Sequence, residues 1–196
     1  MEKTQRTRDR LFDGMAAALL EKGYAATTIA DIVRHARVSK RTFYEHFADK
    51  EACFLASFEH ASDCLLAIVV EAATPELPWR DQVSAAVGGY LGALQSAPGM
   101  TRALLLELPA AGSRALALRR RYLGRFADLL GELTARVGKV HAELRPLSPA
   151  MCTALVGGIN ELVLLAVEEG QADRLTDLAP TAADLIATTL QGGAPS

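Results

Sequence analysis

The segment VSKRTFYEHFADK, Val38–Lys50, gathers Lys40, Arg41, three aromatic rings and His46 into thirteen residues of a chain that is only 6% aromatic. Ser39 is a helix-capping residue type, and on a helix that starts behind it Phe43 and Phe47 lie four apart on one face. Lys40, Arg41, Tyr44 and Glu45 then point elsewhere. Such a helix can bury its rings against neighbours while it offers hydrogen-bond donors outward.

Upstream, Leu11, Met15, Ala18 and Leu19 form the stripe of a first helix over residues 7–22, with Gly23 placed to end it. Thr27 or Thr28 can cap the next helical segment, IADIVRHA, and Thr28 with Asp31 has capping-box spacing. Arg37-Val38 is the short connection to the helix behind Ser39. Two short helices joined tightly, the second carrying cations near its start, match the helix-turn-helix whose second helix enters a DNA major groove. Lysine and arginine can donate to the acceptors of guanine, and serine, threonine and tyrosine hydroxyls to phosphate. Taken alone, the segment is also compatible with an amphipathic surface helix whose charges are only solvated.

Charge separates the same region from the rest. The net charge of −2 divides into ten Lys/Arg against seven Asp/Glu in residues 1–50, a balance of +3, and eleven against sixteen beyond, a balance of −5. The basic end is where a polyanion would bind.

Downstream the spacing stays helical, over residues 49–73, 80–97, 99–108, 113–140, 149–169 and 181–191, with the prolines of TPELP breaking the run after Ala73. The chain is therefore expected to be all-α. It divides into a helix-turn-helix module over residues 1–48 and a larger helical domain over 49–196, with the closing GGAPS disordered. No eighteen apolar residues run uninterrupted, since Asn160 and Glu161 break the best candidate, so no membrane partner is expected. Three cysteines without a C-x-x-C pair and an N-terminus without a leader pattern point to a reducing cytoplasm.

Catalytic chemistry finds little support. His60 and Cys64 are four apart, but two ligands make half a metal site, and His141 and Cys152 are remote in sequence. No Gly-rich phosphate loop is present, so neither catalytic residues nor metal nor cofactor are expected.

Over about residues 8–58 the sequence resembles the tetracycline-repressor (TetR) family of bacterial transcriptional regulators. Gly23-Tyr24, Thr27-Thr28-Ile29, Asp31-Ile32 and the V-S-x-x-T-hydrophobic-Y-x-H-F-x-x-K run from Val38 to Lys50 carry the resemblance. It implies phosphate contacts from Thr28, Ser39, Tyr44, His46 and Lys50, with Lys40, Arg41, Thr42 and Glu45 nearest the bases. Arg37 stands where the family often has glycine. A left-handed conformation there would cost about 1 kcal/mol, and the side chain could reach phosphate. Arg41, where the family is often small, adds a candidate guanine reader.

The resemblance further implies a homodimeric repressor that binds palindromic double-stranded operator DNA and is released by a small, largely hydrophobic effector. For the dimer interface the sequence offers the stripe Leu155, Ile159, Leu162, Val163 and Ala166, with Gly157-Gly158 allowing close approach; an intramolecular core stripe is the alternative. Polar and aromatic residues among apolar helices, namely Trp79, Tyr90, Met100, Tyr122, Phe126 and Asn160, are the candidate effector site, although each alone is compatible with core. Arg119–Arg121 and Arg125 point different ways round a helix and suggest a solvated face. A helical adaptor that binds protein, and less directly an enzyme, are the rival classes.

Overall fold

The first helix, α1, spans Glu2–Ala26 and is broken at Gly23, whose φ of 74° and ψ of 171° fall where glycine alone is at ease. The computed structural model describes residues 2–108 and 113–192, and among these the secondary structure is helical with no strand. α1 starts five residues before the expected residue 7 because polar pairs extend it, as where Gln5 donates to Asp9 at 2.8 Å. The helices α2 (Ile29–Ala36), α3 (Lys40–His46), α4 (Lys50–Ala72), α5 (Trp79–Ser96), α6 (Pro98–Arg102), α7 (Ser113–Gly138), α8 (Pro149–Glu168) and α9 (Ala179–Leu190) follow. A π-helical turn, Ala103–Glu107, extends α6, and a 3-10 turn, Leu175–Leu178, precedes α9. Of the closing GGAPS, residues 193–196 lie outside the described residues.

The chain folds as two compact units, Met1–Ser62 with Ala97–Leu118, and Asp63–Ser96 with Arg119–Ser196. α4 and α7 each begin in the first and end in the second. In the first unit Leu11, Met15, Ile32, Phe43 and Phe54 are sealed from solvent. α1 and α2 come so close at Gly14 that an added Cβ would stand 2.5 Å from the Ile32 carbonyl oxygen, so a glycine is required.

In the second unit Leu91, Val163, Val167, Leu175 and Leu190 are the most deeply buried large side chains. Ser148 caps α8 by accepting the Met151 N–H at 3.2 Å, and Pro149 fills the first turn, where its missing donor is harmless. The stripe of α8 turns inward: Leu155, Ile159, Val163 and Ala166 are buried and Leu162 half-buried, so these residues pack the subunit's own interior. A different face is open, with Met151, Ala154, Gly157, Glu161 and Leu165 exposed. By length and composition alone α4 and α8 are apolar enough to cross a bilayer, which counting uninterrupted apolar residues does not register. About a third of each apolar window is buried, 33% and 39%.

Candidate nucleic-acid interface and ligand cavity

The turn between α2 and α3 is built from backbone bonds that close the end of α2. The Val38 N–H donates to the Val33 carbonyl at 3.1 Å and the Arg37 N–H to Arg34 at 3.3 Å, a Schellman arrangement with Arg37 left-handed at φ 54°. Arg10 of α1 clamps the turn by donating to the Arg37 carbonyl at 2.6 Å. The expected strain at position 37 is therefore present, and a second arginine holds the strained residue in place.

Caps position both helices. Thr28 and Asp31 form the full capping box at the start of α2, the Thr28 N–H donating to the carboxylate at 2.9 Å and the Asp31 N–H to the Thr28 hydroxyl at 3.3 Å. Hydrogen bonds from Lys22 and from Thr28 hold the Asp31 carboxyl well below its ordinary value. Ser39 caps α3 by accepting the Thr42 N–H at 3.0 Å.

Phe43 and Phe47 are buried at 0% and 6% exposure, with Phe47 6.0 Å from the Phe12 ring and Arg8 over both Phe12 and Phe47. Those rings fix the roll of α3 and leave Lys40, Arg41, Tyr44 and Glu45 exposed. Arg41 is 90% exposed and donates to Glu45 at 3.2 Å, a surface pair that DNA can displace at little cost. Thr28, Arg37 and Ser39 are exposed on the same module, whereas Thr42 and His46 are half-buried.

Lys50 has an additional task. Its ammonium donates to the Tyr24 carbonyl at 2.8 Å and the Thr27 carbonyl at 2.9 Å, and stands 4.3 Å from the Tyr24 ring centre. The Tyr24 N–H donates to the Glu107 carboxylate. The link that follows the Gly23 break is thus held from both the start of α4 and the end of the π-helical turn. The sequence pattern marked Gly23 and Lys50, but it could not reveal Glu107, which is 83 residues from Tyr24.

The second unit contains a cavity of about 110 Å³. α5 lines it with Gln82, Val83, Ala86, Val87 and Tyr90. α7 contributes Phe126, Leu129, Leu130, Leu133, Thr134 and Val137, spaced as one helical face. Val69 of α4 and Ala73 just beyond its end, Val156 and Ile159 of α8, and Ile186 and Leu190 of α9 complete it. Of the six candidate effector residues, Tyr90 and Phe126 meet here, rings edge-on with centres 5.5 Å apart. Trp79, Met100, Tyr122 and Asn160 do not line it. Arg80 stands over the Trp79 ring, Met100 is buried in α6 within the other unit, and Asn160 is buried on α8. Tyr122 lies beneath Arg121 and Arg125, and Arg125 also pairs with Asp63, so that arginine is more than a solvated charge. Of the α7 residues that line the cavity, Phe126 alone stood out in the sequence, because nothing along one helix marks which of its faces borders open space.

Cys64 is exposed, while His60 stacks on Phe12 at 5.0 Å. Among the described residues no three His, Cys, Asp or Glu side chains are grouped to hold a metal ion.

These features define an all-α protein with an N-terminal helix-turn-helix. Residues 11–57 match the family of bacterial regulatory proteins called the tetR family, and the chain belongs to it. It is 30% identical over 133 residues to the HTH-type transcriptional regulator TcmR of Streptomyces glaucescens, a match over 67% of this chain that spans only 58% of that protein's length. Its fold is similar to the fatty acid degradation regulator FadR from Bacillus halodurans, with a TM-score of 0.79, 20% identity, and 95% and 99% of the two chains covered. FadR from Bacillus subtilis, solved in complex with stearoyl-CoA, has a TM-score of 0.77 at 16% identity, with 90% and 96% covered.

Proposed function

We propose that this chain is a cytoplasmic DNA-binding regulator, a ligand-released repressor that binds a palindromic operator as a homodimer. The observation that carries the reading is the outer face of α3: buried Phe43 and Phe47 leave Lys40, Arg41, Tyr44 and Glu45 free to enter a major groove. Lys40, Arg41, Thr42 and Glu45 face the bases, and Thr28, Arg37, Ser39, Tyr44 and His46 the phosphates. Lys50 commits two of its three donors within the protein and keeps one for the backbone of the DNA.

One recognition helix reads too few base pairs for a unique site, so two-fold pairing of subunits completes the reader. The exposed apolar residues Met151 and Leu165 of α8 and Leu185 of α9 supply the surface, which a second copy covers in place of solvent. The effector occupies the cavity of the second unit. α4 is one continuous helix that carries Lys50 at its start and Val69 near its end, so an effector that shifts Val69 acts on the element that holds the Tyr24–Thr27 link. Release requires that the ligand bind two conformations unequally.

Fluorescence anisotropy with genomic operator fragments and a scrambled duplex tests the DNA-binding claim. Tight, salt-sensitive binding that prefers the operator is expected. Equal affinity for both duplexes removes sequence reading, and no binding to either leaves the protein-binding adaptor as the better account.

A further inference from the structure

The cavity residues include no charged side chain, and Gln82, Tyr90 and Thr134 bring the polar side-chain atoms. Two of these serve the protein's own backbone. Gln82 donates its amide N–H to the Leu77 carbonyl at 2.8 Å, and the Thr134 hydroxyl donates to Leu130 at 2.7 Å. The Tyr90 hydroxyl has no hydrogen-bond partner among the described residues.

That hydroxyl must face open space, since every described side-chain nitrogen or oxygen sealed from water-sized space has a partner. Tyr90 is half-buried and is a lining residue of the cavity. Phe126 fixes the ring edge-on, and burial pushes the phenol up to about 12, so the group keeps its proton at neutral pH and can donate. An unpaired polar group in an apolar chamber is unfavourable, and a ligand that supplies an acceptor removes the defect.

We propose that the cavity takes an uncharged, compact, mainly hydrocarbon molecule bearing one hydrogen-bond acceptor, and that Tyr90 is the residue that recognises the acceptor. This rests on the effector reading of the cavity. A carboxylate or ammonium would be buried without a counter-charge, because Arg119, whose charge reaches the phenol, is not a lining residue. A coenzyme A thioester would bring phosphates that no lining side chain can meet. The volume is of the order of an engineered apolar cavity of roughly 150 Å³ that binds benzene, so one ring with a short substituent is the matching size.

The test is calorimetric titration of the full chain at pH 7 with acetophenone, with the similarly shaped hydrocarbon ethylbenzene and with benzoate. It is run on the wild type, Tyr90→Phe and the cavity-filling Ala86→Phe. Acetophenone is expected to bind the wild type about 3- to 10-fold more tightly than ethylbenzene, the range of one neutral hydrogen bond. Tyr90→Phe should abolish that preference and leave ethylbenzene affinity unchanged, and Ala86→Phe should weaken both. The hydroxyl it deletes makes no bond among the described residues, so Tyr90→Phe retains the fold, which its circular dichroism melting curve checks. Equal affinities in the wild type, a preference that survives Tyr90→Phe, benzoate binding as tightly as acetophenone, or no binding by any of the three overturns the proposal. If the affinities follow expectation while operator binding is unchanged by saturating acetophenone, the ligand class stands and the release mechanism for that compound fails.

Discussion

Arg37 occupies a left-handed conformation that costs a non-glycine residue about 1 kcal/mol, and Arg10 grips its carbonyl from α1. A glycine would relieve that strain, but it would remove a cation from the turn proposed to face DNA. Arg41 is the most consequential base-reading candidate, since it is 90% exposed and among the described residues is held only by Glu45. Arg41→Ala is expected to lose about 1–3 kcal/mol of operator affinity and to relax preference at one base pair, measured by anisotropy across single-base operator variants. A uniform loss across all variants would reassign it to phosphate. Lys50 holds the Tyr24–Thr27 link and is proposed also to contact phosphate. In Lys50→Ala the thermal midpoint without DNA should fall, because the Tyr24 and Thr27 carbonyls lose their shared donor. The slope of log affinity against log salt should shrink by about 0.9, the loss of one phosphate contact. An unchanged midpoint would exclude the internal role, and an unchanged slope the external one.

At the scale of elements, α2 depends on its N-terminal cap. Asp31 closes the capping box and pairs with Lys22 at 2.8 Å, and its carboxyl is held below the ordinary 3.8. A depressed carboxylate contributes stability that is present above its unfolded value and lost as pH falls through the folded one. Glu21, lowered by hydrogen bonds from His35 and Arg34, acts with the same sign. Melting curves of the wild type should therefore drop as pH falls below about 4, and Asp31→Asn should melt lower at pH 7 with a shallower acid dependence. Parallel pH profiles for the two proteins would show that other groups govern acid unfolding. The caps and the Gly23 break were legible in the sequence, because each arises between residues within a few positions of one another, and the shared face of Phe43 and Phe47 was legible from their spacing of four. The inward turn of the α8 stripe was not, since an apolar face is equally suited to a partner's core and its own.

The assembled molecule is expected to be a dimer built on the open face of α8 and α9. Leu165 is 47% exposed and Leu185 40%, a poor arrangement for a surface that meets only water. Light scattering of the wild type should give twice the 20.9 kDa chain mass, and Leu165→Glu should give the single-chain mass with its helical spectrum retained. A wild type that remains at 20.9 kDa at micromolar concentration, with and without DNA, would defeat the dimer. By itself the sequence determined the all-α class, the three N-terminal helices with their caps, and the outward face of α3, because helical period and capping are local properties. Tertiary structure alone decided which apolar faces line a void. It brought Tyr90 and Phe126 to the cavity and left Trp79, Met100, Tyr122 and Asn160 elsewhere. It also tied Glu107 to Tyr24 across 83 positions. Burial and long-range pairing depend on how helices distant in sequence meet, and no periodicity along one helix encodes where its neighbour leaves a gap.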